Sequence, residues 1–177
     1  MALVKSVIFQ IVGYQDSGKT TMMIEVVKRL ASEAYRVVTI KHHGHGGKPD
    51  LAEKKDSVRH VEAGALASLI EGEGRIVIQA EKTEWSLQEE IQWLSALNPD
   101  LVLIEGHKHA NFPKAVLLRN ERDVHLLEEL QNIQVVYCRS TDLADSLKNS
   151  YPFPVITVVN DVHTWILEYV KTELENK

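Results

Sequence analysis

The sequence predicts a three-layer α/β fold with a mostly parallel sheet and an antiparallel hairpin at its edge. Three observations carry that expectation. Short apolar runs closed by Gly, Pro, Asn or Asp alternate with segments whose apolar residues recur at helical spacing, the pattern of βαβ units. The first such run leads at once into a glycine-bearing loop and an amphipathic helix. Finally, 177 residues with 44% apolar content suffice for one packed core, so a single domain over 1–177 is expected.

Residues 6–12 are apolar apart from Ser6 and Gln10 and stop at Gly13, as a buried strand does. In residues 19–32, Met23, Val26, Val27 and Leu30 fall at i, i+3, i+4 and i+7, opposite Glu25, Lys28, Arg29 and Ser32. That spacing makes an amphipathic helix. Residues 36–40 are a second strand, and a strand–helix–strand order implies parallel pairing through a right-handed crossover. Residues 41–55, with Gly44, Gly46, Gly47 and Pro49, read as a polar loop. Asp56 or Ser57 then caps a short helix reaching Glu62.

The runs 67–70 and 75–79 flank Glu71-Gly72-Glu73-Gly74 as a hairpin. Ser86 and Glu89, three apart, form a capping box for a helix over 86–97. Residues 101–104 are a core strand, and 115–118, 133–137 and 155–159 are further strands, with a helical segment at 141–149. Val162, Trp165, Ile166, Tyr169 and Val170 give a last helix its apolar stripe. Trp93 and Trp165 are expected to cover the sheet.

Composition narrows the function classes. Twenty Lys+Arg oppose 25 Asp+Glu, a formal charge of −5, which argues against nucleic acid and membrane surfaces, both polyanionic. One cysteine, Cys138, allows no intramolecular disulfide and suits a reducing compartment. No targeting segment and no run of roughly 18–20 apolar residues is read, so a cytoplasmic protein is expected.

The chemistry is concentrated in Gly13-Tyr14-Gln15-Asp16-Ser17-Gly18-Lys19-Thr20, which fits G-x-x-x-x-G-K-[ST] at every position. A loop of this kind curls so that its N–H groups point at phosphate oxygens, and Gly13 and Gly18 permit the curl. The helix that follows turns its positive end to the same anion. Lys19 adds a charge on the β- and γ-phosphates, and the Thr20 hydroxyl is a ligand for Mg²⁺. Such a site needs a carboxylate at the carboxyl end of a neighbouring strand. Asp100 and Glu105 bracket one strand, and that geometry selects Glu105, as a metal ligand or to orient an attacking water, over Asp100. Asp50 and Asp56 are weaker candidates for the same metal.

Lys41-His42-His43-Gly44-His45-Gly46-Gly47-Lys48 carries three imidazoles in four positions. With no cysteine beside them, an anion-binding loop is a better reading than a transition-metal site. Asn160-Asp161 closes the last strand, where an Asp would pair with the guanine edge or simply cap the next helix.

Several blocks together resemble a known family. They are Gly13-Tyr14-Gln15-Asp16-Ser17-Gly18-Lys19-Thr20-Thr21, Thr39-Ile40-Lys41-His42-His43, Asp56-Ser57-x-Arg59-His60-x-x-Ala63-Gly64-Ala65, and Pro99-Asp100-Leu101-x-x-x-Glu105-Gly106-x-Lys108 with Pro113-Lys114. The chain resembles, over roughly residues 3–160, the molybdopterin-guanine dinucleotide biosynthesis protein B family of P-loop GTPase-like proteins. The resemblance implies binding of GTP and Mg²⁺, weak GTPase activity and homodimerisation. It also implies association with the guanylyltransferase that attaches GMP to molybdopterin, and through it with the molybdenum cofactor.

By resemblance, residues 13–21 hold the phosphates, Thr20 the metal, and Glu105 and Gly106 sense the γ-phosphate. Lys41 and Arg59 also count among the nucleotide-binding residues, Arg59 on a signature helix with Asp56 and His60. An N-K-x-D guanine motif is not found. A small-molecule kinase and an interaction module without turnover are the alternatives. The first is disfavoured because residues 41–55, the natural lid, contain no arginine.

The acidic total hides a basic rim. Residues 41–60 hold five basic and three acidic side chains, and residues 106–114 hold Lys108 and Lys114 and no acid. The two segments sum to +4, so the remainder sums to −5 − 4 = −9. Six of the eight histidines lie in the same two segments, so the anion affinity of the rim should rise as pH falls through about 6.5.

Overall fold

A computed structural model describes residues 6–43 and 56–176. The chain groups into two compact units, residues 1–42 with 90–177, and residues 43–89. The helix Leu87–Ser95 runs through one boundary.

The larger unit is built on six parallel strands. In chain order the strands of the whole protein are β1 (Val7–Gly13), β2 (Val37–Lys41), β3 (Ala67–Gly72), β4 (Arg75–Ala80), β5 (Leu101–Glu105), β6 (Lys114–Leu118), β7 (Ile133–Cys138) and β8 (Val155–Ile156). The helices are α1 (Lys19–Ser32), α2 (Asp56–Glu62), α3 (Leu87–Ser95), α4 (Leu126–Glu129), α5 (Thr141–Leu147) and α6 (Val159–Glu175). The parallel sheet runs β2-β5-β1-β6-β7-β8, so β1 is central, flanked by β5 and β6.

Alternation along the strands divides two cores. Phe9, Ile11, Leu103 and Leu117 face α1 and α6, meeting Met22, Val26, Leu30, Val162 and Ile166. Val12, Val116, Val136 and Leu118 face α4 and α5, meeting Leu126, Leu143, Ala144 and Leu147. The three expected layers are present, and α1 has the bounds its apolar spacing predicts. Trp165 packs on the first core and stacks on Tyr169, whereas Trp93 stays half exposed.

Asp100 lies at the far edge, as its position before β5 predicts. Its carboxylate accepts from Arg36 N at 2.7 Å and Arg36 Nη2 at 3.0 Å, tying the entrances of β2 and β5. The Arg36 hydrogen bonds also hold this carboxyl below its usual range.

Two expectations are corrected. The last strand ends at Ile156, and Val159 already opens α6, because an edge strand with β7 as its one partner gains little from extension. The hairpin is antiparallel as expected, closed by Glu73 and Gly74 at φ 50° and 79°, but it is a separate two-stranded sheet and not an edge of the main one. Its ladder pairs β3 with β4 alone, from Ala67↔Ala80 to Gly72↔Arg75, and α2 packs on it within the smaller unit.

The capping box ahead of α3 forms. Ser86 Oγ accepts from Glu89 N at 3.3 Å, and the Glu89 carboxylate accepts from Ser86 N at 2.9 Å.

Candidate functional site

The site lies where β1 gives way to α1, at the carboxyl end of the central strand. Gly13 and Gly18 have φ 153° and 93°, and Asp16 between them has φ 62°. A Cβ on Gly13 would come 2.6 Å from Leu117 O and 2.7 Å from Ser17 Oγ, so the loop closes only on glycine. Gly18 has open space around it; there the backbone conformation, not crowding, selects glycine.

Four polar side chains converge on this loop from two strands and a helix. Thr20, in the first turn of α1, donates its hydroxyl to Glu105 Oε1 at 3.0 Å and lies 3.1 Å from Oε2. Glu105 ends β5 and is buried. Lys41 ends β2 on the other side of β5, and its Nζ is 3.1 Å from both Glu105 Oε1 and Thr20 Oγ1. Lys19 folds back so that Nζ donates to Tyr14 O at 2.5 Å. Burial pulls the Lys19 ammonium below the usual lysine range, Glu105 opposes that, and Lys41 and Arg119 reinforce it. Ser17 Oγ is buried in the loop with no hydrogen-bond partner.

The chain beyond Glu105 turns sharply. Gly106 has φ 93° and its N–H donates to Ile11 O at 3.2 Å, while a Cβ there would sit 3.1 Å from His42 Cβ. The His42 and His107 rings pack at 4.5 Å. His107 Nε2 lies 3.5 Å from Glu90 Oε2, too long for a good hydrogen bond. Desolvation lowers the His107 pKa, outweighing the Glu90 carboxylate, so this imidazole takes up its proton at lower pH than an exposed one.

Sequence reasoning put Lys108 on the basic rim but missed Arg119 and His125 on the outer side of the loop. The Tyr14 ring has Lys108 Nζ at 4.6 Å and the Arg119 guanidinium at 5.0 Å from its centroid. Arg119 grips Asp123 through Nε and Nη2, each at 2.8 Å, and donates Nη1 to Gln15 O at 3.1 Å. Tyr14 Oη and His125 Nε2 are 2.8 Å apart, and His125 Nδ1 is 2.7 Å from Arg122 O. A carbonyl only accepts, so Nδ1 carries a proton, and Nε2 is the nitrogen that meets Tyr14 Oη. Arg119 and His125 sit 104 and 111 positions from their loop partners in the chain, and a four-residue spacing between Arg119 and Asp123 was the one local signal.

Other expected residues belong to other elements. Arg59 and Asp56 belong to α2, which is part of the smaller unit. Asn160 and Asp161 are in the first turn of α6, and Asn160 Oδ1 faces Arg29 Nη2 at 3.5 Å. Arg29 is ten residues beyond Lys19, about 15 Å along α1, so this pair does not reach the phosphate loop. Neither residue is the helix cap, which is Val158.

His45, Lys48, Asp50, Lys54 and Lys55 lie outside the described residues. Among the described residues, no three His, Cys, Asp or Glu side chains are placed to hold a metal, and no helix is long and apolar enough to cross a membrane.

A six-stranded parallel sheet with a G-x-x-x-x-G-K-[ST] loop after its central strand defines a P-loop-like α/β protein. The family model "Molybdopterin guanine dinucleotide synthesis protein B" matches residues 8–139, and the chain belongs to that family. A Bacillus subtilis protein named probable molybdopterin-guanine dinucleotide biosynthesis adapter protein is 36% identical over 147 residues, 82% of this chain and 84% of its own. A Haemophilus influenzae adapter protein is 38% identical over 112 residues, 63% of this chain and 62% of its own. The crystal structure of a MobB homolog from Bacillus stearothermophilus superimposes with a TM-score of 0.74 at 32% identity, covering 93% of this chain and 98% of that one.

Proposed function

We propose that this chain is a GTP-binding adapter of molybdenum-cofactor biosynthesis. In this reading it is a slow Mg²⁺-dependent GTPase that assists the attachment of GMP to molybdopterin in the cytoplasm. The reading is supported above all by the meeting of Lys19, Thr20, Lys41 and Glu105 at one glycine-bearing loop.

Each group has a task in that reading. The loop N–H groups and the Lys19 ammonium, released from Tyr14 O, bind the β- and γ-phosphates. A phosphate oxygen gives the buried Ser17 hydroxyl the partner it lacks. Thr20 and Glu105 would hold Mg²⁺, a hard cation that takes oxygen ligands and neutralises phosphate charge. The Lys41 ammonium already bridges those two oxygens, a positive charge standing where the cation fits. Glu105 also orients the attacking water, and Gly106 gives the chain behind it the freedom to follow the γ-phosphate. Arg119 does not favour a kinase, because Asp123 and Gln15 already engage its guanidinium.

The relatives' name, adapter, fits a protein that works through partners, here a guanylyltransferase and a second copy of this chain. The hairpin supports such contacts: Leu69, Ile76, Val77 and Ile78 are each more than half exposed.

The deciding experiment is a calorimetric competition of GTP against ATP, with and without Mg²⁺. Mg²⁺-dependent preference for GTP is expected. Clear ATP preference supports the kinase instead, and binding of neither nucleotide overturns the proposal.

A further inference from the structure

Lys114 opens β6 and is completely buried, yet no carboxylate pairs with it among the described residues. Its Nζ donates to Ala110 O at 2.7 Å and to Gln131 O at 2.6 Å. Desolvation alone pulls this ammonium down to about 8. Taking a cation out of water without a counter-ion is costly, and an apolar side chain of similar volume would fill the space without that cost. It would, however, leave two carbonyls unpaired.

What those carbonyls hold is informative. Gln10 on β1 is the register partner of Lys114 and shares its face of the sheet. Gln10 is also fully buried, and its Nε2 donates to Gly106 O at 3.1 Å and His107 O at 3.0 Å. Two neighbouring buried side chains thus hold both ends of the segment from Gly106 to Ala110. Between those ends lies Lys108, whose ammonium rests against the Tyr14 ring of the phosphate loop.

We propose that Lys114 is a positioning residue: by fixing Ala110 against the loop before β7, it presents Lys108 to the phosphates of the nucleotide bound at Gly13–Thr20. This rests on the nucleotide-binding reading above. Lys114 itself touches no ligand, so its effect on binding passes entirely through Lys108.

The test is a double-mutant cycle in the full chain, read as affinity for a non-hydrolysable GTP analogue with Mg²⁺. Lys108→Met and Lys114→Met are each expected to weaken binding by about tenfold, the scale of one charge-assisted contact. The double variant should be no weaker than Lys108→Met alone. Where Lys114→Met does not fold, Lys114→Gln, which keeps one donor, is read in the same cycle. Additive losses, or unchanged affinity in either folded single variant, overturn the inference while the nucleotide site stands. Failure of the wild-type chain to bind the analogue overturns the nucleotide reading and this inference with it.

Discussion

Thr20 and Glu105 come from elements 85 residues apart, yet the threonine hydroxyl lies 3.0 and 3.1 Å from the two carboxylate oxygens. The contact depends on β1 and β5 being sheet neighbours, with Ile11 level with Glu105. Glu105→Gln keeps the shape and a weaker acceptor but removes the charge. Hydrolysis should slow on the order of 100-fold while GTP affinity changes less. Single-turnover hydrolysis and equilibrium titration separate the two, and an unchanged rate removes Glu105 from the mechanism.

Lys19→Ala should abolish measurable nucleotide binding, a loss on the order of 100-fold or more, because a charge-assisted contact to phosphate disappears. The circular dichroism spectrum should be unchanged, since among the described residues Lys19 bonds the nearby Tyr14 carbonyl alone. Intact affinity would refute the phosphate-loop assignment.

Lys41→Met should have opposite effects on two ligands. It removes the cation between Thr20 and Glu105, so Mg²⁺ alone should bind the nucleotide-free protein more tightly. GTP with Mg²⁺ should bind more weakly, for want of a positive charge near the phosphates. Titrations of the metal alone and of the complex read the two signs, and equal shifts in one direction contradict the stand-in role.

His163 predicts acid sensitivity. It is buried on α6 with neither ring nitrogen hydrogen-bonded. Burial and then Arg29 lower its pKa, and Glu25 opposes them. With the folded-state value below that of the unfolded chain, the unfolded state binds more protons under about pH 6.5. Stability should therefore fall from pH 7.5 to 5.5, and His163→Met should flatten this part of the dependence. Urea midpoints at the two pH values test it; identical slopes in both proteins would mean that other groups carry the effect.

The hairpin predicts an oligomeric state. Leu69 and Ile78 are cross-strand partners on one face of the β3–β4 pair. Replacing both with Lys should convert the proposed dimer to a monomer in sedimentation equilibrium without loss of GTP binding. A dimer that survives the double substitution places the interface elsewhere.

Much of the site was legible because its chemistry is local. Gly13 to Thr20 announces itself in eight consecutive residues, and Glu105 follows from one rule about strand ends. Asp100 was set aside by the same rule, and Arg36 now accounts for it. The clamps around the loop were not legible. Arg119, His125 and Lys114 act through partners that only the order β5-β1-β6 brings close, and strand order is not written in periodicity. Thr157, Val158 and Val159 misled for the opposite reason: β-branched residues favour a strand, but β7 offers only two pairing positions there and the chain turns into α6 instead.

The central position of β1 also orders events during synthesis. The loop Gly13–Thr20 leaves the ribosome ahead of its neighbouring strands, which follow at Leu101–Glu105 and Lys114–Leu118. Nearly a hundred residues must emerge before either flank exists, and loop closure over that span is slow. Until then the apolar run ahead of Gly13 has no sheet to join and depends on its surroundings to stay out of aggregates. The loop at the centre of the candidate site is thus made before its flanking strands and completed late.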